Sequence, residues 1–309
     1  MPSLFPILRA VIDQDRRNGR FLLLGSASPD LLKHTSESMA GRIVYHELFP
    51  FSLAEVKNAT ENVRNLWLRG GYPESFLAED EEKSFRWREA FLQTYLERDI
   101  PQLGIHISSI QMRRFLTMVA HSHGQLWNAS KIANSLGVSA PTIRSYMDIF
   151  EKTFLIRKAE PYHINIKKRL VKSPKIFLCD SGILHTLLGI HTFEDAFSHP
   201  ALGSSWEGFV LEQLSSLSSR NRQEIYFFRT SAGAEIDFLL LSRKKRLIAI
   251  EVKYSLSPKL TKSFWNAFRD LSCGKGYVVY PGDEIYPLQK NVFALPIAQI
   301  SEIFKQKIP

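Results

Sequence analysis

The chain has 309 residues, of which 44% are hydrophobic and 23% charged, a composition that is typical of folded proteins and excludes disordered and collagen-like chains. Forty basic against thirty-one acidic side chains give a formal charge of +9, which suggests an anionic partner, nucleic acid first. No apolar segment has the length of a membrane span and the N-terminus lacks a secretory pattern, so we expect a cytoplasmic protein without a membrane partner. The two cysteines, Cys179 and Cys273, fit a reducing compartment as inert core thiols.

The first fifty residues predict the end of an α/β sheet. Pro2–Arg9 has the apolar spacing of a helix, and Arg20–Ser26 contains a short apolar run that ends in small residues, as a buried parallel strand does. Ile43–Leu48 is the other strand candidate nearby. Because a buried strand needs neighbours on both sides, we predict a partial sheet whose beginning is absent.

The next part of the chain predicts helices, from Leu53 to about Leu126, with a break at Gly70–Pro73. A short helix, a turn with glycine and a second helix follow over Ala129–Phe154. Ser139 is placed to cap the second helix, and Pro141 lies in its first turn. This is the helix-turn-helix pattern.

A basic segment follows the helix-turn-helix. Leu155–Ala159 and Arg169–Leu178 are candidates for the two strands of a wing. The segment has seven basic residues and one acid: Arg157, Lys158, Lys167, Lys168, Arg169, Lys172, Lys175 and Glu160. If the unit binds DNA, Arg144 on the second helix would face a groove and the wing bases would contact phosphates. The alternative is a unit that serves only for packing or protein contacts.

The last third predicts a small α/β domain with the order α-β-β-β-α-β. The predicted elements are a helix over Ser205–Leu217, strands over Ile225–Arg229, Glu235–Leu241 and Leu247–Val252, a helix over Lys262–Leu271 and a strand over Gly276–Tyr280.

Two carboxylates in this domain follow the pattern of a metal site. Asp237 lies near the start of the second strand, and Glu251 lies at the end of the third, with thirteen residues between them. A hairpin brings both to one end of the sheet, and strand alternation puts Lys253 on the same face as Glu251. These oxygens, with the carbonyl of Val252, would suit Mg²⁺ with several waters retained. Lys253 would orient or deprotonate a water or stabilise a phosphate, and Glu207 on the preceding helix would supply a third carboxylate.

The alternative interpretation is a solvated strand edge, because alternating charges are common and this spacing also occurs by chance. The apolar runs Phe238–Leu241 and Ile248–Ile250 favour the metal site. A carboxylate that ends a buried strand costs desolvation unless a cation pairs with it.

The same residues carry a resemblance. Glu207, Asp237 and Glu251–Lys253 resemble the PD-(D/E)XK nuclease motif, and Phe228–Asp237 resembles the strand-turn-strand that precedes its metal-binding aspartate. The resemblance implies a restriction-endonuclease-like domain in which Asp237 and Glu251 bind Mg²⁺ and Lys253 and Glu207 take part in catalysis.

A wider resemblance covers essentially all 309 residues: the chain is similar to bacterial and archaeal AAA-type ATPases that end in a DUF4143 domain. The segments that carry it follow one another along the chain: Arg20–Ser28, Ser38–Ile43, Glu47–Leu53, Leu68–Glu74 and Tyr95–Asp99.

The chain departs from that family at the phosphate-binding loop, G-x-x-x-x-G-K-[ST]. Its Gly274–Lys275 pair lacks the preceding glycine and the Ser/Thr, and Met1–Pro6 resembles residues just after the family's acidic strand. We therefore expect an N-terminally truncated ATPase module, with Ser26 and Arg42 as remnants of a sensor and an arginine-finger-type position. ATP is not expected to bind or be hydrolysed without the missing segment.

The expected fold is α/β plus α. The predicted regions are an ATPase-module remnant with part of a sheet (1–58), a helical linker (59–110), a winged helix-turn-helix-like region (111–180) and a restriction-endonuclease-like α/β domain (181–309). Three hypotheses on function remain: a Mg²⁺-dependent DNA nuclease, a non-catalytic DNA-binding or regulatory scaffold, and a fragment of a P-loop ATPase whose gene start is lost or misplaced. DNA is the expected partner, with a homo-oligomer left open.

Overall fold

The structure, a computed structural model, describes residues 4–25, 39–56, 59–102, 107–164, 169–242 and 246–305. It is a mixed α/β protein with helices through the first two thirds and a six-stranded mixed sheet in the last third. Within these ranges no helix combines the length and the apolar character that crossing a membrane requires.

The elements are numbered here in chain order. The helices are α1 (Leu4–Gln14), α2 (Ala59–Arg69), α3 (Pro73–Phe76), α4 (Glu81–Thr94), α5 (Ser109–His121), α6 (Ala129–Leu136), α7 (Ala140–Lys152), α8 (Ser181–Leu188), α9 (Phe193–Ser198), α10 (Leu202–Asn221), α11 (Lys262–Asp270) and α12 (Glu302–Lys305). Shorter turns are a π-helical turn (Tyr95–Asp99), a helical turn (Ile100–Gln102) and a 3₁₀ turn (Ile297–Gln299). The strands are β1 (Ile156–Ala159), β2 (Lys175–Leu178), β3 (Glu224–Arg229), β4 (Glu235–Leu241), β5 (Leu247–Val252), β6 (Lys275–Tyr280), β7 (Tyr286–Gln289) and β8 (Val292–Pro296).

The prediction of two buried strands near the N-terminus is wrong for the residues that the structure describes. Residues 20–25 and 43–48 lie outside any helix or strand. Leu22 and Leu24 are each 83% exposed, and Leu48 is 93% exposed. An apolar run becomes a buried strand only where neighbouring strands take up its backbone N–H and C=O groups. The described part of the chain places no such strand beside either segment, so no sheet remnant forms there.

The helix-turn-helix pattern folds as two short helices, α6 and α7. Gly137 ends α6 in the left-handed conformation, with φ 67°, which a residue with a side chain rarely adopts. The hydroxyl of Ser139 accepts the N–H of Thr142 at 3.2 Å and caps α7, and Pro141 lies in the first turn. The buried faces of both helices pack on α5.

The two strands that follow do not extend from the protein as an exposed wing. β1 and β2 pair antiparallel, with Ile156 opposite Leu178, and all four residues of β2 are buried. Phe177 of β2 packs against Phe238 of the large sheet, with ring centroids 6.0 Å apart. The predicted wing is therefore a buried connection between the helices and the sheet.

The large sheet has the strand order β3-β4-β5-β6-β8-β7. β4 runs antiparallel to β3 and β5, whereas β5, β6 and β8 are parallel to one another. Trp206 and Phe209 of α10 pack with Phe238 and Ile250 in one core cluster, and α11 buries Phe264 in another with other residues of the sheet. The sequence predicts the strands β3, β4, β5 and β6 of this sheet, but not β7 and β8.

The first core cluster also joins the helical part to the sheet. Trp67 of α2 packs edge-on against Trp206 at 5.3 Å. The Trp67 indole N–H donates to Ser205 Oγ at 3.0 Å. Ser205 Oγ lies 2.7 Å from His185 Nε2, while the other ring nitrogen of His185 lies 3.0 Å from the carbonyl of Leu68. This buried network fixes the start of α10.

Candidate active site

A cleft of about 550 Å³ opens where β4 begins and β5 ends. The residues that line it come from the loop after α5, from β2, from α10 and from the large sheet with α11: Gly124, Gln125, Leu126, Lys175, Glu207, Arg229, Glu235, Asp237, Glu251, Lys253, Thr261 and Ser263. The four residues predicted from the nuclease-like pattern, Glu207, Asp237, Glu251 and Lys253, are all among them.

Antiparallel pairing of β4 and β5 places Asp237 beside Glu251. The register pairs Phe238 with Ile250, so the next positions toward the cleft are Asp237 and Glu251. One oxygen of Asp237 accepts the backbone N–H of Val252 at 2.8 Å, which fixes this carboxylate at the end of the hairpin. The two carboxylates are therefore held by the backbone of adjacent strands rather than by flexible loops.

Glu251 is the least satisfied group of the cleft. The residue is 5% exposed, and Lys253 Nζ donates to its Oε1 at 2.8 Å. Its Oε2 is buried and has no hydrogen-bond partner among the described residues. Burial, together with the nearby charge of Asp237, raises the pKa of Glu251 to about 8, against the opposing effect of Lys253. A buried carboxylate with one open oxygen favours a proton or a cation.

Glu207 of α10 faces the cleft but already has a partner. Lys175 Nζ lies 3.0 Å from Glu207 Oε1 and 3.0 Å from Glu235 Oε1. Burial raises the pKa of Glu207 to about 7, although Lys175 lowers it. Burial lowers the pKa of Lys175, but the surrounding acids outweigh it and hold this pKa above its ordinary value. Glu207 and Glu251 each have a lysine partner in the absence of any metal, but only Glu251 also has a buried oxygen without a hydrogen-bond partner among the described residues.

The rim of the cleft carries more exposed polar groups. Arg229 lies 3.6 Å from Glu235 Oε2, and 42% of its side chain is exposed. Ser263 at the start of α11 accepts the N–H of Glu235 and donates to the carbonyl of Gly233, which ties α11 to the β3–β4 turn. Thr261 caps α11 by accepting the N–H of Phe264.

The donor set fits a cation held by two protein carboxylates rather than by a closed cage. Within the ranges the structure describes, no three His, Cys, Asp or Glu side chains are grouped as a ready-made metal site. Mg²⁺ is commonly bound by one or two carboxylates with several retained waters. Asp237 and Glu251, with the open Glu251 Oε2, meet that description.

The structure describes three of the five predicted nucleic-acid residues. Arg144, Arg169 and Lys172 are exposed, and Lys167 and Lys168 lie outside the described residues. Other bases of the predicted wing are paired: Arg157 with Glu47, Lys158 with Glu151 and Lys175 with the acids of the cleft.

Of the two predicted remnants of an ATPase site, the structure describes Arg42. Arg42 makes two hydrogen bonds to the carboxylate of Asp13 in α1, at 2.8 and 2.9 Å. These bonds lower the pKa of Asp13. Ser26 lies outside the described residues.

Sequence reasoning missed Lys175 and Glu235 as members of the cleft. The basic segment around Lys175 predicts a base of the wing instead. Glu235 can be predicted as a cleft residue from the sequence. It lies two residues before Asp237 on the same strand, and alternate side chains of a strand share a face. Arg229, Thr261 and Ser263 had no comparable signal.

Three families match consecutive parts of the chain. Residues 1–57 match an AAA domain, residues 60–194 a domain of unknown function (DUF8612), and residues 202–300 a domain of unknown function (DUF4143). No solved structure matches the chain.

The chain is similar to proteins that carry the description "uncharacterized protein". Proteins of Mycobacterium tuberculosis and Mycobacterium bovis are each 43% identical over 300 residues, which cover 97% of this chain and 67% of the relative. A protein of Methanocaldococcus jannaschii is 25% identical over 242 residues, covering 76% of this chain and 48% of the relative.

The chain belongs to the family of these mycobacterial proteins. In this family member the cleft is built from two matched regions. Glu207, Asp237, Glu251 and Lys253 lie in the DUF4143 match, whereas Lys175 lies in the DUF8612 match.

Proposed function

We propose that the cleft binds a divalent cation and hydrolyses phosphodiester bonds of DNA. One observation carries the proposal: two carboxylates from adjacent strands and a lysine converge on one cleft, and the open oxygen of Glu251 is buried without a hydrogen-bond partner among the described residues. Burying such an oxygen costs free energy unless a proton or a cation binds to it.

The topology around the cleft supports the proposal. A helix precedes three antiparallel strands, and a second helix and a parallel strand follow, with β4 antiparallel to its neighbours. This is the element order that the sequence predicts for a small α/β domain, and Asp237 and Glu251 lie on its second and third strands.

Asp237 and Glu251 would hold Mg²⁺ or Mn²⁺, which would polarise the phosphate and lower the pKa of a bound water. Burial lowers the pKa of Lys253, but Glu251 and Asp237 outweigh it and hold this pKa above its ordinary value in the metal-free protein, where the side chain is an ammonium cation. An ammonium donates hydrogen bonds and cannot take a proton from water. Lys253 therefore orients the attacking water or stabilises charge on the phosphate.

DNA is the favoured substrate because the chain carries a formal charge of +9 and presents exposed bases on and after the helix-turn-helix. Arg144 lies on α7, and Arg169 and Lys172 precede β2. Phosphate contacts from such residues do not depend on base sequence.

The test is cleavage of supercoiled and single-stranded DNA in Mg²⁺ or Mn²⁺. We expect cleavage by the wild type that chelator abolishes, and its loss in Asp237→Asn and in Lys253→Met. Asp283→Asn is the matched control, because Asp283 is an exposed aspartate of the same domain that does not line the cleft. Cleavage that persists in Asp237→Asn would exclude this site.

The second candidate is a DNA-binding scaffold without catalysis, which the exposed bases also favour. In both cases, replacing Arg169 and Lys172 by Ala should reduce the dependence of log K on log salt by about 0.9 for each phosphate that the variant no longer neutralises. Lys290→Ala, an exposed lysine in the turn between β7 and β8, is the control. Binding and metal uptake without cleavage of any substrate would favour the scaffold.

A further inference from the structure

Lys175 enters the cleft from outside the large sheet, which carries Arg229, Glu235, Asp237 and Glu251. It is the first residue of β2, and its side chain is 5% exposed. The backbone is held on two sides, by pairing with Ala159 of β1 and by a bridge to Leu126 in the loop after α5. The ammonium is therefore placed by sheet pairing and is not a mobile surface group.

The Lys175 ammonium joins two carboxylates from different elements. Its Nζ lies 3.0 Å from Glu207 Oε1 on α10 and 3.0 Å from Glu235 Oε1 on β4. Its Nζ also lies over the ring of Phe227, 5.6 Å from the ring centroid. Glu207 and Glu235 are partly buried, and a cation between two such carboxylates takes the place that a metal ion occupies when it bridges acids in a binding site.

We propose that Lys175 is a built-in cation that permanently occupies the position between Glu207 and Glu235, so that the cleft takes one divalent cation, on Asp237 and Glu251, and not two. The inference rests on the cation site of the proposed function and deepens it, because it sets the number and the position of the metal ions.

The geometry disfavours a role for Lys175 in contacting the substrate. Both of its close partners are acids, and almost none of its side chain reaches solvent. Lys253 and Arg229 are 33% and 42% exposed, so they are the cleft cations that an incoming phosphate meets. Lys175 acts on the site through the carboxylates it neutralises and is a positioning residue.

The test is the stoichiometry of Mn²⁺ binding, measured by equilibrium titration of the full chain. We expect one ion for the wild type and two for Lys175→Met, which keeps a side chain of similar length without its charge. Lys175→Arg retains the cation and is the matched control, expected to bind one ion.

Each outcome separates this inference from the proposed function. One ion in both the wild type and Lys175→Met, with affinities within about threefold, overturns the inference and leaves the proposed function standing. Two ions in the wild type also overturn the inference and leave the proposed function standing, whereas no ion in the wild type and one in Lys175→Met overturns the proposed function and the count of one ion. No ion in either protein overturns both.

A second measurement decides the question if Lys175→Met does not fold. Wild-type crystals soaked in Mn²⁺ locate the ion by its anomalous scattering. We expect a single ion on Asp237 and Glu251, with Lys175 still between Glu207 and Glu235. An ion that displaces Lys175 from Glu207 contradicts the inference.

Discussion

Glu251 differs from the other acids of the cleft in what surrounds each oxygen. Lys253 satisfies one oxygen, and the other is buried without a hydrogen-bond partner among the described residues. Glu207 and Glu235, by comparison, share Lys175. The sequence pattern identified Glu251 as a candidate ligand but did not separate it from Glu207, because pairing with Lys175 depends on a contact across 32 residues of chain.

The raised pKa of Glu251 predicts a pH dependence of stability in metal-free protein. The ordinary value of 4.5 applies to the unfolded chain, and the folded value is about 8. Between these values the folded state holds a proton that the unfolded state releases. The proton on Glu251 therefore makes its full contribution to the stability of the folded state below about pH 4.5. That contribution is lost as the pH rises to about 8.

Denaturant unfolding in chelator from pH 5 to 8.5 checks this. Glu251→Gln should remove a fall in stability on the order of 4 kcal/mol across that range. Glu284→Gln, an exposed glutamate of the same domain, should leave the fall unchanged. Equal slopes for wild type and Glu251→Gln would show that Glu251 titrates normally.

At the scale of elements, α10 is fixed to the loop after α5 by a close contact. A Cβ on Gly208 would lie 2.1 Å from Nε2 of His123, a buried ring that accepts the N–H of Leu178 through Nδ1. Gly208 follows Glu207 directly, so this contact sets how near α10 lies to the cleft. Glycine is required at position 208 because His123 packs against it, and not because the backbone turns there.

Gly208→Ala should destabilise the protein by roughly 1–3 kcal/mol, because it forces a side chain into a packed core. Gly203→Ala lies on the same helix with nothing within 4 Å and should instead stabilise by about 0.5–1 kcal/mol. The double variant Gly208→Ala/His123→Ala should be more stable, by about 1 kcal/mol or more, than the sum of the two single effects predicts. Thermal or denaturant unfolding of the four variants measures this coupling, and strict additivity would contradict the contact.

The prediction of elements succeeded where a local pattern was sufficient. Strands β4 and β5 follow from apolar runs with charged ends, and the start of α7 follows from Ser139 and Pro141. It failed for residues 20–25 and 43–48, because an apolar run cannot say whether neighbouring strands are present. It also missed that β2 is buried, because the basic segment that leads into this strand suggests an exposed wing.

At the scale of the whole molecule, the sheet shares its core with the preceding helices. Trp67 and Phe177 pack against Trp206 and Phe238, and Lys175 supplies a charge to the cleft. The region of the DUF4143 match, residues 202–300, therefore shares its core with residues that precede it. Its α10 face depends on residues of the DUF8612 match.

The segment 199–305 alone should not show the cooperative thermal transition of the full chain. Each large aromatic side chain that is removed from the core forfeits about 1.5–3 kcal/mol of burial. Circular dichroism melting of the segment and of the full chain checks this. A segment that melts cooperatively at the temperature of the full chain would contradict the shared core.

The central claim, that Asp237 and Glu251 hold a divalent cation, is tested most directly by the shift in melting temperature that saturating Mn²⁺ causes. A ligand at 100 times its Kd stabilises the folded state by about 2.7 kcal/mol, which is a rise of several degrees. We predict this rise for the wild type, Asp283→Asn and Lys253→Met, and its loss in Asp237→Asn. An equal shift in the wild type and Asp237→Asn, or no shift in the wild type, would contradict the claim.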